Sequence, residues 1–400
     1  MRLVCDLHVH SRFSLATSQG MVIPEMARWA QRKGIDLLGT GDFTHSGWLN
    51  HLRSELANTV EGLYESHGVR FLPSAEIALV WRQAGKGRRI HLVLLAATLE
   101  DAAAVARALD PFGKLESNGR PMLKASAVSA LDAIWNAAPS VEVIPAHIWT
   151  PWYSVFGSRS GFDSLEECFG AHTGRIHALE TGLSSDPPMN RLVSSLDCYS
   201  LVSSSDAHSP RNLGREATVL DLPVASFAAV IEAIRAGDGN GRIAETIEFH
   251  PQHGKYHYDG HRRCGVLQDP ATTIMKDAIP ICPVCGKPLT LGVMHRVLTI
   301  ADRHDPIETV PFARVIPLEQ ILSQVLAVGV GTRRVQRAYD HLISGVGTEL
   351  FVLREATKEQ LMEGASADVV GGILAARSGN VRIRPGYDGE YGSVTIDGVA

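Results

Sequence analysis

The residue order predicts an α/β fold of barrel type. Short apolar strands alternate with helical stretches up to about residue 245, and imidazoles and carboxylates recur just beyond the ends of those strands. The chain of 400 residues with 45% hydrophobic side chains is also longer than one core supports, since single cores stop growing near about 250–300 residues. One large unit followed by smaller ones is expected.

Taken in order, Leu3-Val4-Cys5 begins a buried strand that runs into Asp6-Leu7-His8-Val9-His10. In an extended chain alternate residues share a face, so Asp6, His8 and His10 are expected on one side and Leu7 and Val9 on the other. Two imidazoles side by side suit a divalent metal. Pro24 then opens a helix that Gly34 closes, in keeping with proline near the start and glycine just past the end. A strand is expected at 36–39, a helix near 49–65, and strands at 70–72, 91–95, 141–144, 176–179 and 199–202. Asp42 and His45 follow the second strand, Glu76 the third, His147 the fifth, Glu180 the sixth, and Asp206 and His208 the seventh. In parallel barrels the carboxyl ends of the strands converge on one mouth, so these scattered groups are expected to meet there. His91 begins its strand instead, and it reaches the same mouth if that strand runs antiparallel to its neighbours.

Two stretches speak to substrate. The Gly-punctuated turn Trp81–Arg89 carries four cations in nine residues, among them Arg88 and Arg89, and reads either as a phosphate-backbone contact or as a solvated turn. After His147 come Trp149, Trp152, Tyr153 and Phe156, four aromatics in eight positions that can stack on a base or pack on the barrel rim.

Beyond a turn at 238–241, His261 and Cys264 share a two-residue gap with Cys282 and Cys285 of Cys-Pro-Val-Cys-Gly. Proline and glycine shape such a turn so that both thiolates reach one tetrahedral ion, which predicts a structural zinc over residues 246–300, with His257 as a substitute for His261. Residues 301–400 read as mainly helical, with a weak Gly-x-Gly turn at 329–331 that could meet DNA and a terminal hairpin over 381–396. The net charge of −5 gives no global basic signature. No apolar run approaches roughly 18 residues, so no membrane span is expected, and a cytoplasmic location follows. Neither a Walker-type phosphate loop nor a Gly-x-Ser-x-Gly elbow is present, which weakens nucleoside-triphosphatase and serine-hydrolase readings.

Asp-Leu-His-Val-His at 6–10, Gly-Asp-Phe-Thr-His at 41–45, Glu76, His91, His147 and Ser-Asp-Ala-His at 205–208 resemble the ordered motifs of the PHP superfamily. That resemblance implies a distorted seven-stranded β/α barrel over 1–245 holding two or three divalent ions (Zn, Mn or Mg). It implies His8, His10, Asp42, His45, Glu76, His91, His147, Asp206 and His208 as ligands, with His8, His10, Glu76 and Asp206 at the catalytic centre. Ser14, where many members have an acid, and Phe43 depart from the general pattern. Together with Leu179–Pro187, Tyr256–Cys264 and the Cys-Pro-Val-Cys-Gly turn, however, they are similar to the endonuclease Q family across nearly the whole chain. The resemblance implies an enzyme that nicks DNA 5′ of uracil, hypoxanthine, xanthine or an abasic site, with a sliding clamp as a candidate partner. Two alternatives stay open: a phosphoesterase acting on small phosphate monoesters, and a DNA-binding module with an idle barrel.

Overall fold

The computed structural model describes residues 1–59, 62–236, 241–274, 280–308 and 310–398; the turn expected at 238–241 falls largely outside them. Strand Arg2–Asp6 is central to the largest sheet. It pairs in parallel with Leu37–Gly39 and antiparallel with Ala217–Asp221, and Leu37–Gly39 continues in parallel to Val69–Leu72. The hairpin Ser74–Gln83/Lys86–Leu95 turns at Ala84-Gly85, both with positive φ (49° and 77°), the backbone a two-residue hairpin turn needs. Lys86–Leu95 also pairs antiparallel with Glu142–Pro145, so His91 does sit on a reversed strand. Ala178–Glu180 and Ser200–Val202 form a further parallel pair. Three separate hydrogen-bonded groups of strands therefore make up the wall of this α/β barrel.

Leu3, Cys5, Leu37, Leu72, Val93, Ile144, Ala178, Val202 and Leu220 meet in one apolar cluster with Val230, Ala233 and Ile234 of helix Phe227–Ala236. Strands thus meet through their apolar faces on one side and carry polar chemistry at their ends. Helix Ile23–Lys33 has Pro24 in its first turn and ends on Gly34 in the left-handed conformation (φ 87°), as its sequence predicts.

The structure corrects two local expectations. Helix Ser46–Glu55 stops well short of residue 65; Leu56 is extended, and Tyr64–Ser66 forms a hairpin with Val69–Leu72 through His67-Gly68, both with positive φ. Strand Arg2–Asp6 ends at Asp6, and Asp6 is not among the residues whose donor atoms gather with those of His8 and His10. Its carboxylate accepts from the backbone N–H groups of Ser205 and Gly214 at 2.9 Å each, and burial pushes it up to about 6.

Beyond residue 300 the helices Leu318–Val325, Arg333–Gly345, Glu349–Arg354, Lys358–Gly364 and Ala367–Arg377 pack together. Strand Phe312–Arg314 pairs in parallel with Arg242–Glu248, which ties this helical region to the barrel sheet. The terminal hairpin Val381–Arg384/Ser393–Ile396 and its loop hold the Cys-containing segment: Asp388 accepts from Arg262 N at 2.7 Å and from Thr290 Oγ1 at 2.6 Å. Among the described residues no helix is long and apolar enough to cross a membrane.

Candidate metal centre

Glu76, early in strand Ser74–Gln83, is fully buried and sits at the hub of the barrel mouth. Its Oε1 lies 2.6 Å from His91 Nδ1, 3.2 Å from His147 Nε2 and 3.6 Å from His8 Nε2, and its Oε2 lies 3.3 Å from His10 Nε2. Asp206 Oδ1 lies 2.9 Å from His10 Nε2 and 3.8 Å from His8 Nε2. Two overlapping groups result, His8-His10-Glu76-Asp206 and Glu76-His91-His147, each with donor atoms within 4.8 Å of one another.

These donors fit a divalent ion. His8 Nε2 is buried without a hydrogen-bond partner in the structure, an orphaned imidazole nitrogen aimed among carboxylates that a cation would satisfy. Burial opposes charge on His8 and His10, yet the carboxylates outweigh it: Glu180 and Glu76 raise His8 well above the usual imidazole range, and Asp206, Asp42 and Glu76 do the same for His10. Burial likewise opposes charge on Glu76, but His91, His8 and Arg120 hold its carboxyl well below the usual range. Burial lowers His91 to about 4, against the pull of Glu76.

Around these groups is a layer that aims them. Glu180 takes His8 Nδ1 on both oxygens at 3.0 Å and accepts from the backbone N–H of His147 at 2.8 Å. Asp42 Oδ1 takes His10 Nδ1 at 3.1 Å, while Oδ2 accepts from Ser11 N, Ser11 Oγ and Ser14 Oγ at 2.7, 2.6 and 2.8 Å. Ser14 thus supplies a donor where an acid would have supplied charge. Outer partners of this kind fix the tautomer and orientation of a ligating imidazole. Asp42, His147 and Asp206 all have positive φ (51°, 30° and 47°), a conformation that non-glycine residues adopt at a cost and that clusters at functional sites. Gly119 is required for the same packing, because a Cβ there would lie 2.2 Å from Asp42 Oδ2.

Three of the expected ligands fall outside both groups. Asp42 already has its oxygens filled, as described. His45 stacks on Phe13 with ring centroids 4.2 Å apart, and its Nδ1 accepts from Trp48 N at 3.4 Å to cap helix Ser46–Glu55. His208 stacks over His10 at 4.3 Å with Nδ1 2.9 Å from Asp206 O.

A second cluster is local: His261, Cys264, Cys282 and Cys285 have their donors within 4.8 Å, and Gly286 in the left-handed region (φ 70°) turns the Cys-Pro-Val-Cys-Gly loop so that its N–H reaches Cys282 O at 2.9 Å. Desolvation opposes it, but the backbone N–H groups of Cys285 and Val284 bring the Cys282 thiol down to about 6, toward the thiolate that zinc takes. His257 is not part of this cluster.

Family models match two stretches, "PHP-associated" over residues 199–238 and "MJ0043 C-terminal domain" over residues 317–380. Protein YqxK of Bacillus subtilis is 27% identical over 98% of this chain and 99% of its own length. Protein MJ0043 of Methanocaldococcus jannaschii is 30% identical over 62% of this chain, a match that spans only 31% of that protein. The lesion-specific endonuclease PfuEndoQ from Pyrococcus furiosus superimposes with a TM-score of 0.86 at 29% identity, covering 99% of this chain and 96% of that one. An endonuclease Q solved with a 27-mer duplex bearing an abasic lesion at its active site gives 0.87 at 30% identity, covering 100% and 97%. The chain belongs to the endonuclease Q family.

Within that family setting, the remaining expected residues divide. Trp149 and Phe156 are buried and stacked on each other with centroids 4.9 Å apart, Trp149 Nε1 donating to Asn190 Oδ1 at 2.8 Å. They belong to the core and present no face to a base, which corrects their assignment as substrate contacts. Arg88 is likewise engaged internally, donating to Gly161 O with its guanidinium 4.0 Å from the Phe162 ring centre. Trp152 (40% exposed), Tyr153 and Arg89 remain at the rim, Trp152 edge-on to Tyr256 at 5.5 Å and Arg89 5.7 Å from the Tyr153 ring centre.

Beside the cluster opens a cavity of about 230 Å³ lined by His147, Asp206, Leu183, Ser184, Tyr256 and His257. Ser184 Oγ and His257 Nδ1 are buried and have no hydrogen-bond partner in the structure. Burial lowers His257 to about 4, so its ring is neutral at ordinary pH. Arg120, which no motif singles out, reaches Glu76 Oε2 at 3.0 Å.

Proposed function

We propose that this protein is a metal-dependent DNA endonuclease that nicks the phosphodiester 5′ of a deaminated base or an abasic site, leaving a 3′-hydroxyl and a 5′-phosphate. The observation that carries the reading is the joint one: whole-chain similarity to an endonuclease Q held on a lesion-bearing duplex, and a pair of metal-ligand groups opening beside an apolar cavity. His8, His10, Glu76 and Asp206 would hold one ion, and Glu76, His91 and His147 another. Divalent ions in such sites lower the pKa of water and neutralise charge on phosphate oxygens. Glu180 and Asp42 keep His8 and His10 turned toward the donors they share.

The extruded lesion would enter the cavity next to His147 and Asp206, where Ser184 Oγ and the neutral His257 ring offer hydrogen bonds and Tyr256 and Leu183 an apolar wall. A damaged or mispaired base is the easier one to extrude, which biases the enzyme toward lesions. In this reading residues 1–245 carry the chemistry, 246–300 form a zinc-held platform, and 301–400 add contacts to the duplex. Incubation with end-labelled duplexes containing one uracil, one hypoxanthine, one abasic site or none, followed by mapping of product ends, tests it. Cleavage 5′ of the lesion in the first three supports the proposal; cleavage of small phosphate monoesters alone, with every duplex intact, refutes it.

A further inference from the structure

Arg120 is set where a cation is hard to account for by metal binding alone. It belongs to Asn118-Gly119-Arg120-Pro121, a loop with no recognisable signature. The loop is fixed on both sides: Gly119 N donates to Phe13 O at 2.9 Å, Leu15 N to Asn118 Oδ1 at 3.0 Å, and Ala78 N to Pro121 O at 3.0 Å. So anchored, it delivers a partly buried guanidinium to Glu76, the one carboxylate shared by both metal-ligand groups. Among the described residues this is the only ion pair Arg120 makes, and it engages one terminal nitrogen of a five-donor fork.

A guanidinium cannot shed its proton, so it repels any dication that Glu76 helps to hold. An anion arriving at the centre removes that conflict, and the guanidinium fork matches phosphate geometry. We infer that Arg120 binds the scissile phosphate, donating to a non-bridging oxygen and stabilising the charge that collects there while the bond from the water oxygen to phosphorus forms and the bond to the 3′-oxygen breaks. Arg120 itself neither gives nor takes a proton: the attacking water gives one up to solvent and the leaving 3′-oxygen takes one from solvent. The inference rests on the phosphodiesterase reading of the site.

The test uses the full-length protein loaded with manganese, as wild type, Arg120→Gln and Arg120→Lys. Metal content is read by mass spectrometry, affinity for inorganic phosphate by calorimetry, and kcat and KM on an abasic duplex, with and without added guanidinium. Arg120→Gln is expected to keep its metal, to bind phosphate at least tenfold more weakly, and to lose roughly 10²-fold in kcat, the scale of removing one oxyanion donor. Its KM should stay within about threefold, because other phosphate contacts along the duplex dominate binding. Arg120→Lys and millimolar guanidinium should each restore part of the rate. Unchanged phosphate affinity, or loss of metal in step with activity, would overturn the inference. If the wild type nicks no duplex, the endonuclease reading fails while the phosphate titration still decides the role of Arg120.

Discussion

The barrel mouth and the Cys-Pro-Val-Cys-Gly loop are two ways of assembling a ligand cage, and they differ in what holds them open. The loop cluster draws on 25 residues, 261–285, and has four donors. The barrel cluster draws donors from residues 8 to 206, and buried partners such as Glu180 and Asp42 position its imidazoles whether or not an ion is present. A local cage depends on its metal for shape, whereas a preorganised one depends on its fold. Chelation should accordingly disorder the loop and leave the barrel folded.

The sharpest way to break this contrast is Asp206→Asn. The substitution keeps the side chain's volume but removes the charge facing His8 and His10, so nicking is expected to fall at least about 10³-fold while DNA binding and melting temperature stay near wild type. Retained cleavage would remove Asp206 from the catalytic set. Next in size is Glu180→Gln, which leaves His8 as a ligand but loosens its aim; metal affinity at the barrel should drop about 10–100-fold. If metal content is unaffected, the outer layer is not the scaffold described here.

On the other side of the comparison, Cys282→Ala should remove one zinc per chain, weaken DNA binding and leave metal at the barrel intact. Equal loss at both sites would mean the cages are not independent. Smaller again is the pH effect. His8, His10 and His147 are held above the ordinary imidazole range when no ion is bound, so an incoming metal must displace their protons. Metal affinity at the barrel should therefore fall as pH drops through that range and rise as they deprotonate above it, which a zinc or manganese titration at several pH values would reveal.

The contrast also explains what the sequence discloses. The alternation of strands and helices and the gathering of His8, His10 and Asp206 were legible because ordered motifs carry them, whereas His208 falls outside both donor groups. The Cys-x-x-Cys turn was legible for the same reason, and its cage is completed by residues close in sequence. Arg120 was not, since 44 positions separate it from Glu76 and only the folded loop brings them to 3.0 Å. Trp149 and Phe156 were misread because aromatic composition specifies bulk, and bulk serves a core as readily as a binding face. His45 shows that a residue placed by a motif can also cap the helix that follows it.

The central claim is that imidazoles and carboxylates spread from residue 8 to residue 206 form one ion cage at the barrel mouth. Anomalous diffraction from crystals grown with manganese tests it directly. The account predicts peaks within bonding distance of Glu76, one shared with His8, His10 and Asp206 and another with His91 and His147. A map at full manganese occupancy of the solvent with no peak beside Glu76 would contradict it.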